Sequence, residues 1–427
     1  MDLLIRSAII VDPTSPHNGK QKDILIRDGK IGLIADSLDN PENIEEFSAP
    51  NLHVSPGFTD MQANFRDPGH EYKEDLGSGC RAAIRGGFTK VCVQSSTEPV
   101  LDHKSGIESI SNRSRRLPVD VLPIGALTSN REGKEMAELF DMKRSGAIAF
   151  SDDKRPVENP KLFELILEYV KNFDGLVIHF PDTPGLSKNS VMNESDTSVY
   201  LGLKGAPAMA EELAIHRDLY ILEYTRSRLH YSLISTARSA SLIREGKAKG
   251  LQLTAAAGAH YLLFDDGVME GFDSVHKVKP PYRRPEDIEA LKSGLKDGTI
   301  DVICSDHSPE DVETKRCELE YAAYGIVNIE TCFSAARTAL KDTLTLTELV
   351  EKLAVNPRKI LRIPVPSVQE NNVAELSFFD PDMEWTYSEK DIVSRSKNSP
   401  FPGFTFTGKV LGVFTKSAFH RNPEPSA

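Results

Sequence analysis

Short apolar segments alternate with helix-like segments through the middle of the chain, and this rhythm restricts the fold more than any other feature. We predict strands at 53–54, 90–93, 120–124, 147–150, 176–179, 228–232, 251–255 and 301–305, and helices at 160–172, 208–226, 235–246, 285–297 and 346–353. Alternation of strands and helices produces a parallel sheet. About eight such units over roughly 300 residues predict a (β/α)8 barrel.

Both ends of the chain have a different pattern, typical of short antiparallel strands. Leu3–Val11 is apolar and β-branched, and Asp28-Gly29 is a hairpin turn signal between two strand-like segments. Near the other end, 374–379 and 408–414 also predict strands. We therefore expect a small β-sandwich built from residues 1–54 and 366–427, with the barrel at 55–365 and a disordered tail at 421–427.

Composition excludes several classes of protein. The net charge is −12 and no basic block occurs, so broad binding to nucleic-acid phosphates is not expected. No apolar stretch approaches the ~18 to 20 residues of a membrane span, and the first residues lack a signal peptide pattern. The five cysteines form no CxxC pair, which favours reduced thiols. We expect a cytoplasmic protein that binds neither membranes nor nucleic acid.

Polar residues gather where the predicted barrel strands end, which is where barrel enzymes carry their chemistry. Gln62 and Asn64 are two residues apart, so on a strand their side chains face the same way. Asp152-Asp153 follows the fourth strand, His179 ends the fifth and Asp306 ends the eighth. These positions predict one polar site at the mouth of the barrel.

Motifs spread along the chain resemble the dihydroorotase family of the amidohydrolase superfamily. They are Pro56-Gly57-Phe58-x-Asp60, Phe65-Arg66-Asp67-Pro68-Gly69, Gly86-Gly87-Phe88-Thr89, Ala149-Phe150-Ser151-Asp152-Asp153, Pro280-Pro281-x-Arg283, Ser305-Asp306-His307 and Ser399-Pro400-Phe401. The resemblance covers nearly the whole length. It implies a barrel with a β-sandwich and a zinc-dependent, reversible opening of the dihydroorotate ring, in which metal-bound water attacks and an aspartate transfers the proton.

Measured against this family, the chain has lost half of its metal-binding positions. Gln62 and Asn64 stand where the family carries His-x-His, and Leu233 stands where the sixth strand should supply a histidine. The remaining positions match: Asp153 (or, less favoured, Asp152), His179 and Asp306, the last being both ligand and general base in the family. Carboxamides are weak zinc ligands and leucine is none, so no cofactor is expected.

The positions that recognise the substrate in the family have changed too. Arg66, which holds the substrate carboxylate in the family, remains, whereas two asparagines are replaced by Ser96 and Lys279 and a histidine by Glu310. Lys279, Glu310 and Arg66 predict a polar cluster at the mouth, either a salt-bridge plug or an anion site. Loss of both metal and substrate positions favours loss of the reaction.

Each candidate residue also has a structural interpretation. Arg66 can brace its loop through Asp67, His179 can be a hydrogen-bonded core residue, and Asp306 can cap the barrel mouth. Asp152-Asp153, next to Lys154-Arg155, can form a solvated charged turn. Cys304 is conceivable as a thiolate ligand, but a small core residue is favoured. Three further histidines are treated as isolated structural residues: His230, His260 and His276.

Three functions remain open at this point. The first is a non-catalytic homologue that serves as a structural partner of aspartate transcarbamoylase, as some family members without zinc histidines do. The second is an active dihydroorotase, or a hydrolase of another cyclic amide such as a hydantoin, with zinc on Asp153, His179 and Asp306. The third is an oligomeric scaffold that binds a small molecule at the barrel mouth. We expect a homo-oligomer.

Overall fold

The computed structural model describes residues 1–423. Its strands, in chain order, are β1 (Leu3–Ile10), β2 (Gln21–Arg27), β3 (Lys30–Ala35), β4 (Glu46–Phe47), β5 (His53–Pro56), β6 (Phe58–Ala63), β7 (Phe88–Val93), β8 (Asp120–Gly125), β9 (Ala149–Phe150), β10 (Val177–His179), β11 (Met192–Asn193), β12 (Gly205–Ala206), β13 (Arg228–Tyr231), β14 (Gln252–Gly258), β15 (Val302–Cys304), β16 (Leu376–Thr386), β17 (Thr405–Thr415) and β18 (Ala418–Arg421).

The helices surround these strands. They are α1 (Leu76–Arg85), α2 (Lys104–Ser114), α3 (Leu139–Arg144), α4 (Pro160–Val170), α5 (Pro184–Ser187), α6 (Asp196–Leu201), α7 (Met209–Thr225), α8 (Ala237–Ala248), α9 (Pro285–Asp297), α10 (Val312–Lys315), α11 (Cys332–Leu340), α12 (Leu346–Val350) and α13 (Asn356–Leu361). A π-helical turn at Glu351–Val355 joins α12 to α13. No helix within residues 1–423 is long and apolar enough to cross a membrane.

The barrel predicted from the alternating pattern is confirmed. Eight parallel strands pair in the order β15-β14-β13-β10-β9-β8-β7-β6, and a parallel bridge between Ala63 and His307 joins the two edges. The first barrel strand was predicted wrongly, because His53–Val54 belongs to the other sheet and the barrel begins at Phe58. Gly57 lies between the two sheets, at a point where a Cβ atom would meet the Thr89 side chain.

The two chain ends build a second, eight-stranded sheet in the order β18-β17-β16-β5-β1-β2-β3, with β4 paired to β1. The turn at Asp28-Gly29 has positive φ at both residues (49° and 72°), as a type I′ hairpin requires. Strand β5 extends to Pro56, slightly beyond the limit drawn at residue 54. The predicted domain limits otherwise remain predictions. Arg421 ends β18, so the predicted disordered tail began too early, and 424–427 lie outside the described residues.

One buried arginine fixes the barrel to this sheet. Arg358 is fully buried, and its guanidinium donates to the Gly57 carbonyl at 3.1 Å and the Thr89 hydroxyl at 3.2 Å. The same group pairs with Glu375, which directly precedes β16. This joint lies at the amino end of the strands, so it leaves the carboxyl ends free to form a site.

Candidate functional site

The end of β6 meets the loop after β9 at the mouth of the barrel. Gln62 Nε2 donates to Asp153 Oδ1 at 3.0 Å, and Asn64 Nδ2 donates to Asp153 Oδ2 at 3.3 Å. Ser96 Oγ lies 2.7 Å from the same Oδ2 atom. The two amides therefore direct N–H groups at the carboxylate of Asp153, which is a metal-ligand position in the family. An N–H group cannot bind a metal.

Asp153 is buried, so the alternative of a solvated turn is wrong for this residue. Burial on its own would raise the pKa of Asp153, but Arg131, Lys154 and the Ser96 hydroxyl outweigh it and hold the pKa below its usual value. Asp152 points elsewhere and accepts hydrogen bonds from the Leu127 and Thr128 backbone. Asp152 is therefore structural, and Asp153 is the residue at the mouth.

Asp306 carries a lysine where the family would place a metal. Lys154 Nζ lies 2.7 Å from Asp306 Oδ1 and 2.8 Å from Oδ2, and the aspartate is 1% exposed. Tyr261 donates to Oδ2 at 3.3 Å, and His260 Nε2 lies 3.5 Å from it. The sequence analysis treated His260 as isolated, and that interpretation is wrong, because the ring lies beside Asp306. Both oxygens of the family's general base are engaged by protein groups.

His179 uses both ring nitrogens inside the protein. Its Nδ1 lies 2.8 Å from Asp218 Oδ2, and its Nε2 accepts the Val157 backbone N–H at 3.1 Å. A histidine binds a metal through an unprotonated nitrogen whose lone pair is free. The lone pair of Nε2 is directed at Val157, so the structural interpretation of His179 fits the geometry.

The sixth and eighth strands add no metal ligand. Leu233 is fully buried in the barrel core. Cys304 is also fully buried, with Sγ 3.7 Å from the Ala257 carbonyl, and burial raises the pKa of its thiol far above the usual value. Burial also lowers the pKa of His230 to about 3, and its Nδ1 pairs with the Thr254 hydroxyl. Cys304 and His230 are core residues.

These observations together test whether the site fits zinc, and it does not. Zinc sites need three or four imidazole, thiolate or carboxylate ligands with free lone pairs. Asp153 faces amides and cations, Asp306 faces an ammonium group, and His179 is fully hydrogen-bonded. Within residues 1–423, no group of three or more His, Cys, Asp or Glu side chains is arranged to hold a metal ion.

A second charged cluster occupies the rim beside this site. Arg66 pairs with Glu310 at 2.6 Å, and Lys73 pairs with the other oxygen of Glu310 at 2.5 Å. All three side chains are at most 14% exposed. Asn398, just before Ser399-Pro400-Phe401, accepts the Glu310 backbone N–H at 3.1 Å and fixes the loop. The arrangement is the salt-bridge plug, because the Glu310 carboxylate satisfies the guanidinium of Arg66.

Lys279 does not join that plug, contrary to the predicted cluster. Its ammonium pairs with Asp182 at 2.8 Å and lies over the ring of Phe180 at 5.3 Å. Lys279 and Asp182 line a cavity of about 840 Å³ outside the end of β10. Neither Asp153 nor Asp306 is among the described residues that line it, so the cavity does not include these two metal positions, although Lys279 is a family substrate position.

Sequence reasoning missed the cations that decide the chemistry of the mouth. Lys154 directly follows Asp153 but was treated as part of a charged turn. Arg131 was not singled out, and it comes within 4.0 Å of Asp153. A local signal existed only for Lys154, since a lysine next to a family ligand position predicts a competing ion pair.

Comparisons with known proteins give one consistent family. The sequence profile described as "Dihydro-orotase-like" matches residues 52–239. A dihydroorotase of Syntrophus aciditrophicus is 38% identical over 414 residues, covering 96% of this chain and 97% of that protein. A dihydroorotase of Geobacter metallireducens is 39% identical over 410 residues, covering 96% of each.

Among solved structures, the L-hydantoinase (dihydropyrimidinase) of Arthrobacter aurescens superposes with a TM-score of 0.87 at 22% identity, covering 100% of this chain and 97% of that chain. At this identity the likeness supports the barrel fold alone.

Proposed function

Since this chain belongs to the dihydroorotase family, we propose that it is a member linked to pyrimidine synthesis that no longer hydrolyses dihydroorotate and acts as a structural partner of aspartate transcarbamoylase. The observation that carries this proposal is the ion pair between Lys154 and Asp306. It places a fixed ammonium group on the carboxylate that serves the family as ligand and base.

The chemistry follows from that pair. Ring opening needs an activated water and a free base within hydrogen-bond reach of it. An Asp306 carboxylate paired with Lys154 and hydrogen-bonded by Tyr261 has to break these contacts before a metal ion or a water molecule can take their place. Gln62 and Asn64 offer amide N–H groups where the family offers imidazole lone pairs. Residues of this chain therefore hinder both the activation of water by a metal and the transfer of its proton to a base.

The other two functions have less support. An active hydrolase on Asp153, His179 and Asp306 would require each of them to release its present partner first. A small-molecule scaffold is favoured by one observation, the 840 Å³ cavity with Phe180, Asp182 and Lys279 in its wall, since pockets of this size bind small ligands. That cavity is compatible with the structural role and does not replace it.

Assembly can be tested directly with the two proteins of one organism. Mixed with its aspartate transcarbamoylase at micromolar concentration, the chain is expected to co-elute in a complex whose light-scattering mass exceeds that of either protein alone. Because the proposed structural role needs no catalysis, the matched variant Asp306→Asn should assemble equally well. Separate elution of the two proteins at every ratio would contradict the partnership.

A further inference from the structure

A small cavity opens at the amino ends of the barrel strands, at the opposite end of the barrel from the family site. Its volume is about 280 Å³, and its wall includes Ile148, Leu176 and Arg228, which stand at the starts of β9, β10 and β13. Four of its lining residues are charged: Lys143, Asp174, Arg228 and Arg362. The rest of the lining is apolar, so these four residues set the chemistry of the cavity.

The lining carries more positive than negative charge. Three cations and one carboxylate give a net charge of +2, in a chain whose net charge is −12. The carboxylate of Asp174 is shared, because it pairs with Arg362 and lies 3.5 Å from the Nη1 atom of Arg228. Lys143 has no ion-pair partner among residues 1–423. One carboxylate cannot neutralise three cations, so the cavity keeps a positive charge.

Arg228 is largely enclosed in this positive surrounding. Its side chain is 16% exposed, and its Nη2 atom donates to the Ile360 carbonyl at 2.6 Å. Burial lowers the pKa of Arg228, and so does the neighbouring Arg362 guanidinium, although Asp174 raises it. Burial also lowers the pKa of Lys143, where Asp174 acts in the opposite sense and Arg228 adds to the lowering. Since these cations repel one another, an anion bound among them would relieve the repulsion.

Helix ends explain the charge of two of the three cations but not that of the third. Lys143 lies in the last turn of α3 and Arg362 directly follows α13, positions where a cation offsets the negative end of a helix. Arg228 instead begins a strand. Arg362 also adopts a positive φ of 56°, a conformation in which glycine or asparagine is the usual residue at a helix end. Local structure alone therefore does not account for the two arginines.

We propose that this cavity binds a phosphate group, either as the free ion or as the end of a small phosphate ester. The net charge of +2 suits a dianion, and guanidinium groups match the oxygen geometry of phosphate. The volume of about 280 Å³ lies just below the roughly 300 to 1,000 Å³ of pockets for drug-sized ligands, so the ligand is small. The site is independent of the proposed function, because no described residue of the barrel mouth lines it.

Isothermal titration of the full chain with inorganic phosphate, at constant ionic strength, tests the site. We expect one phosphate per chain with a Kd of about 1 mM or lower. The double variant Lys143→Gln/Arg362→Gln is expected to bind phosphate about tenfold more weakly, because two of the three cations are lost. The matched control Lys134→Gln/Arg238→Gln removes the same charge from exposed ion pairs elsewhere, so it should bind phosphate like the wild type.

A variant that gains affinity gives a readout that misfolding cannot imitate. Asp174→Asn removes the carboxylate that competes with the ligand for the arginines, so it should bind phosphate about threefold more tightly. Glycerol 3-phosphate separates the two sources, since tighter binding than phosphate supports an ester and weaker binding supports the free ion. Three results would each overturn the inference: no saturable binding to the wild type, undiminished binding by Lys143→Gln/Arg362→Gln, or no gain in affinity by Asp174→Asn.

Discussion

Replacing Lys154 with methionine is expected to lower the free energy of unfolding by about 3 to 5 kcal/mol, because it leaves the Asp306 carboxylate buried without a cation. Asp306 is 1% exposed, and Lys154 contacts both of its oxygens within 2.8 Å. The hydrogen bond from Tyr261 and the neighbouring His260 compensate only in part. Urea unfolding of the two proteins at pH 7 measures the difference.

Two further variants isolate the cause. Lys134→Met changes a lysine that is 76% exposed, and it is expected to leave the free energy of unfolding unchanged within error. The double variant Lys154→Met/Asp306→Asn should recover most of the lost stability, since removing both charges leaves no uncompensated ion. Equal stability of wild type and Lys154→Met would show that the pair does not hold the mouth together.

The second large effect is expected at Glu310. Glu310→Gln should lower the free energy of unfolding by about 3 kcal/mol, because Arg66 and Lys73 then face a neutral amide at a mostly buried rim. We expect a smaller loss of stability than in Lys154→Met, because both cations keep another partner. Arg66 also donates to the Pro309 carbonyl, and Lys73 lies 3.8 Å from Asp311.

The matched control for this variant is Glu132→Gln, which breaks the exposed pair of Glu132 with Lys134. We expect that control to unfold at the wild-type urea concentration, as exposed ion pairs contribute little. If Glu310→Gln also unfolds like the wild type, the cluster is solvated in solution and the plug interpretation of Arg66 is wrong.

The sequence predicted the barrel because its evidence is periodic and local. Segments such as 120–124 and 285–297 carry enough apolar pattern to define one strand and one helix within a residue or two. The first barrel strand was misplaced because His53–Pro56 and Phe58–Ala63 follow one another with only Gly57 between them. Only pairing of His53–Pro56 with β1 and β16 separates the two, and pairing partners are not readable from a single run.

The candidate site could be predicted in position but not in its contacts. Family positions located Asp153, His179 and Asp306, yet their partners Arg131, Asp218 and Lys154 depend on how distant loops fold over the mouth. Asp153 and Asp306 both adopt positive φ (55° and 51°), a conformation that their residue type does not reveal. Lys279 was misassigned for the same reason, since its partner Asp182 lies on another loop.

The most direct test of the account is hydrolysis of dihydroorotate by the purified protein with added zinc, measured beside an Asp306→Ala variant, with the zinc content of both proteins determined in parallel. We predict no activity above that of the variant and bound zinc well below one equivalent per chain. Activity that Asp306→Ala abolishes, with stoichiometric zinc in the wild type, would contradict the account, since Lys154 would then have to leave Asp306 for the metal to bind.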